Sequence, residues 1–167
     1  MQLAVLVITI LAAWRWGDWK NWQKYHSTML FISMANLLYN TVYATDRIWK
    51  ISPEILGSTV IAELLNTFIV FPLSGLIFLT NFPQNSISKL YRISKFIVIY
   101  LFAELIFLKF GSIVYKNGWN IWWSLAWDCM MFPMWLLHHH KPLCAYIVSL
   151  FIVVAIVILF PPGKLTP

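Results

Sequence analysis

The chain has 167 residues, of which 60% are hydrophobic and 11% charged; its mean hydropathy is +0.74 and its formal net charge +6. A soluble domain is nearer about half apolar and about a quarter charged, so disorder and an ordinary cytosolic enzyme are excluded. The 12 basic residues are scattered over connectors and helix ends. Without a basic face there is no nucleic-acid footprint, and no nucleic acid is expected as a partner.

Apolar runs close to 20 residues long recur along the chain, the length that matches the hydrocarbon of a bilayer. They predict an all-α, polytopic transmembrane helix bundle with five or six spans, one domain over residues 1–167, with the lipid bilayer as its surroundings. Segment 1, Leu3 to Trp14, is short for a span and is expected to cross tilted or to rest partly in the interface. It lacks the basic start and cleavage site of a signal peptide, so it is expected to be retained. Segments 2 to 5 run from Ser27 to Ala44, Ile55 to Thr80, Ile93 to Ile113 and Trp119 to His138. Segment 6, Leu143 to Phe160, is opened by Pro142 and stopped by Pro161-Pro162. Proline suits a first helical turn and cannot continue a helix.

Basic residues set the orientation. The connectors after segments 1, 3 and 5 hold seven: Arg15, Lys20, Lys24, Lys89, Arg92, Lys95 and Lys141. The opposite side holds five: Arg47, Lys50, Lys109, Lys116 and Lys164. The excess places the first set in the cytoplasm and both termini outside. Trp14, Trp16, Trp19 and Trp22 follow segment 1, and Trp119, Trp122 and Trp123 open segment 5. They read as aromatic belts at the two membrane surfaces, with a cation-π cage of Trp against Arg15 and Lys20 as the sharper alternative.

The informative residues are polar ones inside the apolar runs. Asn36 and Asn40 lie in segment 2, Glu63 and Asn66 in segment 3, Glu104 in segment 4, and Asp128 in segment 5. An acid at mid-membrane costs about 2.5–3.5 kcal/mol on insertion scales. Asn120, Ser124 and Asp128 recur every fourth residue and form one stripe, as do Thr59, Glu63, Asn66 and Thr67 on their own segment. At 1.5 Å per residue, Glu104 lies roughly 16 Å from the cytoplasmic start of its segment. Asp128 and Glu63 lie roughly 13 Å and 12 Å from the outer starts of theirs. Antiparallel neighbours bring such groups to similar heights. The eight residues Asn36, Asn40, Glu63, Asn66, Glu104, Asn120, Ser124 and Asp128 therefore form the candidate ligand- or ion-binding set. No Lys or Arg is expected at that depth. Desolvation and mutual repulsion then oppose full ionisation, which makes the cluster a candidate proton acceptor, cation site or amine site. The plain alternative is interhelical hydrogen bonding with no ligand.

Phe71-Pro72 and Phe132-Pro133 place proline within two segments, a cause of kinks and of binding sites in transporters. Their surroundings hint faintly at an internal repeat. His138, His139 and His140 suit a helix C-terminus; with His26 they lack the geometry of a metal site, so no metal is assigned. Cys129 and Cys144 show no CxxC spacing. There is no GxSxG, HExxH, P-loop or GxGxxG, so no cofactor and no catalytic residue is assigned.

Four stretches carry a family likeness: Trp14-Arg15-Trp16-Gly17-Asp18-Trp19-Lys20-Asn21-Trp22, Asn36-Leu37-Leu38-Tyr39-Asn40, Asn117-Gly118-Trp119-Asn120 and Met131-Phe132-Pro133-Met134. In these the chain resembles an uncharacterised family of small multi-pass membrane proteins of spore-forming Gram-positive bacteria. The resemblance implies a bacterial cell membrane location and carries no activity. The leading expectation is binding or translocation of a small solute or cation through the acidic cluster. The rival is an accessory or scaffolding subunit acting through contacts with copies of itself or a partner membrane protein. A lipid-modifying enzyme using Glu63, Glu104 and Asp128 as acid and base ranks third.

Overall fold

Asparagine and proline set the helix limits. Asn85 Oδ1 accepts from the Ile87 N–H at 2.9 Å, and Asn120 Oδ1 from Trp122 and Trp123 at 3.0 and 3.3 Å. These are N-caps, which satisfy amides that lack a partner one turn back. Pro142 opens the last helix, where its missing N–H costs nothing. The computed structural model describes residues 2–45, 47–51 and 58–162. Among them are six helices: α1 (Gln2–Trp16), α2 (Gln23–Val42), α3 (Thr59–Leu79), α4 (Ser86–Lys109), α5 (Ile121–His140) and α6 (Pro142–Leu159).

Each predicted segment overlaps one helix, with four shifts in extent. Helix α2 starts at Gln23, four residues before the expected Ser27. Helix α4 starts at Ser86, seven residues before the expected Ile93, because Asn85 caps it there. Helix α3 starts at Thr59 after an extended Ser58; the expected start at Ile55 lies outside the described residues, as does Lys164. Ile113, expected to end segment 4, belongs instead to a strand. That strand, β2 (Ile113–Tyr115), pairs antiparallel with β1 (Trp49–Ile51), with Trp49 opposite Tyr115 and Ile51 opposite Ile113. The ladder ties the connector after α2 to the connector after α4 at one end of the molecule. At the other end the Asp18 N–H donates to Thr80 Oγ1 at 3.1 Å, which joins the connectors after α1 and α3.

Helix α3 is not uniform. Asn66–Val70 is a π-helical turn in which the Phe71 N–H reaches the Asn66 carbonyl. It directly precedes Pro72, which has no N–H to give and whose ring crowds the carbonyl four residues back. Phe132-Pro133 lies in an unbroken α5, so the two Phe-Pro steps have different local geometry.

Two cores hold the helices. The larger joins Phe78, Phe96, Phe132 and Trp135, with ring centroids 4.9–6.1 Å apart in mostly edge-on or tilted pairs. The smaller, at the ladder end, joins Tyr43, Ile48, Trp119 and Phe160. Helices α3 and α6 are each long and apolar enough to cross a membrane, and only 6% of α6 is buried within the molecule.

Candidate functional site

Three of the eight predicted residues meet at the ladder-side half of the α4–α5 contact. Glu104 comes from α4; Ser124 and Asp128 come from successive turns of α5. Ser124 Oγ donates to Glu104 Oε1 at 2.7 Å. Tyr115, at the end of β2, donates its hydroxyl to the same oxygen at 2.8 Å. The Trp119 indole N–H donates to Ser124 Oγ at 2.9 Å, which fixes that hydroxyl as acceptor on one side and donor on the other. Burial pushes the Tyr115 phenol well above its usual range, and the adjoining Glu104 carboxylate adds to this, so Tyr115 stays a proton donor.

Asp128 lies one turn deeper and is only 5% exposed. Its Oδ2 is buried without a hydrogen-bond partner, and its carboxyl feels the charge of Glu104. The Tyr100 phenol, from α4, comes near both Asp128 and Ser74 but makes no hydrogen bond of good geometry. Among the described residues no Lys or Arg pairs with Glu104 or Asp128. The site is thus two carboxyl groups ringed by hydroxyls and one indole N–H.

The other predicted residues go elsewhere. Glu63 pairs with Arg47, a cation the sequence reading did not expect at that depth. With α3 starting at Thr59, Glu63 is about 6 Å into its helix instead of about 12 Å, and within reach of the Arg47 connector. Asn36 Nδ2 donates to Thr67 Oγ1 at 2.6 Å, and Thr67 in turn donates to the Glu63 carbonyl at 2.7 Å, which bolts α2 to α3. Asn66 opens the π turn, and Asn40 is half-buried one helical turn beyond Asn36. Asn120 is exposed and spends its side chain on the α5 cap.

No family model, curated protein or solved structure matches this chain.

The chemistry of the site therefore follows from its own atoms. Tyr115, Trp119 and Tyr100 belong to it and were absent from the predicted set. Trp119 had the place of a belt residue, yet it is 7% exposed and hydrogen-bonded inward. Tyr100 one turn from Glu104 was visible as spacing; Tyr115 was not, because only the β ladder brings its connector back over α4. The free cysteines, Cys129 and Cys144, are exposed and away from these contacts. Among the described residues no three His, Cys, Asp or Glu side chains are grouped to hold a metal. Clustered carboxyl and hydroxyl oxygens can accept a proton or replace the water around a small cation.

Proposed function

We propose that the chain is a small multi-pass protein of the bacterial cell membrane that binds and translocates a small cation or solute through the Glu104–Asp128 site. Its apolar exterior supports the membrane setting. Leu143, Phe151 and Ile158 on α6 are 76%, 70% and 73% exposed, and α1 and α4 also turn large apolar side chains outward. Water-soluble monomers rarely carry continuous apolar patches beyond a few hundred Å². Crossing of the bilayer by the remaining helices agrees with their alternation: connectors after α1 and α3 share one end, and those after α2 and α4 the other.

The observation that carries the function is Asp128, an acid inside the bundle beside a second acid, with one oxygen unpartnered. Intramembrane carboxyl groups are costly and typically mark ion or proton pathways. The purified protein, reconstituted in vesicles, is expected to move one of a panel of protons, Na⁺, K⁺ and small amines, and Glu104→Gln with Asp128→Asn to abolish that flux. Flux that survives both substitutions overturns the acidic route. Wild-type vesicles as tight as protein-free ones overturn translocation.

A second reading, an accessory subunit, draws on the slight burial of α6 within the molecule. Crosslinking in native membranes to one partner seated on α6, without flux from the isolated chain, favours it.

A further inference from the structure

The buried face of α5 consists of Ser124, Asp128, Phe132, Trp135 and His138. It has a titratable group near each end and aromatic rings between. Asp128 and His138 are ten residues apart, roughly 15 Å along the helix. Among the described residues, four side-chain polar atoms are buried with no hydrogen-bond partner: Arg92 Nε, Tyr100 Oη, Asp128 Oδ2 and His138 Nε2. Two of these four, Asp128 and His138, lie on the buried face of α5, and Tyr100 packs its ring on the same face. The Tyr100 ring stands edge-on to both Phe132 (5.1 Å) and Trp135 (6.4 Å), the aromatic stretch that separates the acid from the imidazole, while its hydroxyl comes near Asp128 and Ser74. A polar atom buried without a partner is costly, so three around one helix face call for a shared reason, and passage of protons supplies one.

His138 is held to present one nitrogen. It is 2% exposed. Its Nδ1 is 3.0 Å from Thr28 Oγ1 of α2, its ring face lies 4.2 Å from Phe31, and Tyr146 of α6 meets it edge-on at 5.3 Å. The remaining ionisable neighbours are Tyr146 and His139, so among the described residues no carboxylate faces this ring.

We infer that His138 is the far-end partner of Asp128 in a single path, and that the ion handled by the acidic site is the proton. This rests on the translocation reading above. The Asp128 carboxyl gives its proton to a water molecule, and a proton from that water's chain lands on the lone pair of His138 Nε2, with Nδ1–H donated to Thr28. The imidazolium then gives its Nδ1 proton to Thr28 Oγ1, whose hydroxyl passes its own proton on toward the solution at that end, and return of the Nε2 proton to Nδ1 by way of water restores the starting tautomer. The Asp128 carboxylate regains a proton from the ladder side by way of Glu104, where Tyr115 and Ser124 hold the accepting oxygen. Water is the sole co-reactant, and no electrons move.

The test is a pH jump on vesicles loaded with a pH-sensitive dye, with wild type, Asp128→Asn and His138→Gln. Wild type is expected to pass protons, and each variant to be slower by about tenfold or more, as for loss of a positioned acid–base group. If Asp128→Asn stops the flux while His138→Gln keeps the wild-type rate and pH profile, His138 is outside the path and the acidic-site reading survives. If wild type moves Na⁺ or K⁺ but no protons, the inference falls alone; if it moves nothing, both fall. Should His138→Gln not fold, ¹⁵N-histidine NMR of the wild type in bilayers decides. Titration of His138 between about pH 5 and 8 with fast water exchange supports the path; a neutral, exchange-protected ring throughout that range overturns it.

Discussion

Ser124 accepts from Trp119 and donates to Glu104, so its hydroxyl is the hinge of the site. Ser124→Ala leaves a buried indole N–H unpaired and takes a donor from a carboxylate. A loss of about 1–3 kcal/mol in detergent-solubilised unfolding is expected, with weaker cation flux. Asn120, predicted on the same stripe, gives a contrasting outcome because it caps α5. Asn120→Ala is expected to cost about 1 kcal/mol of stability and to keep flux per folded molecule. Glu63 offers a third case. Arg47→Ala strands its carboxylate and is expected to destabilise more than Arg47→Ala with Glu63→Gln together, as thermal unfolding of the three proteins will show. Chemistry of this kind was half legible in the sequence. Polar residues inside apolar runs flagged Glu104, Ser124 and Asp128. Nothing local could reveal that a connector residue, Arg47, neutralises Glu63, or that Tyr115 reaches back to Glu104.

At the scale of elements, run length and proline positions located the helices because six apolar stretches separated by polar connectors leave little ambiguity. The β ladder was invisible for a physical reason: three-residue strands over 60 positions apart have no periodicity to read, and their pairing is set by how the helices deliver them. The π turn of α3 was likewise unreadable beyond the kink that Pro72 implied. Close approach of α2 and α3 depends on Gly75, where an added Cβ would lie 2.4 Å from Ile32 Cδ1. Gly75→Ala is expected to change stability by less than about 1 kcal/mol, because the clash is with the movable end of Ile32 and alanine favours the helix, whereas Gly75→Leu is expected to lose about 1–3 kcal/mol in thermal unfolding through overpacking. Equal stability of the two variants would show that the helices do not approach closely at Gly75.

For the whole molecule, an aromatic core at one height, an acid pair at another and an apolar exterior form one arrangement. The helix faces divide cleanly around Asp128: it points inward, while its neighbour Cys129 is exposed. That contrast allows a direct probe of where the acid lies. With Cys144→Ser, Cys129 alone can carry a nitroxide spin label in reconstituted bilayers. Paramagnetic relaxation by lipid-soluble oxygen should then be strong and relaxation by a water-soluble nickel chelate weak, as for a lipid-facing residue deep in the hydrocarbon. Strong relaxation by the nickel chelate instead would put this turn of α5 in water and contradict a membrane-buried acidic site.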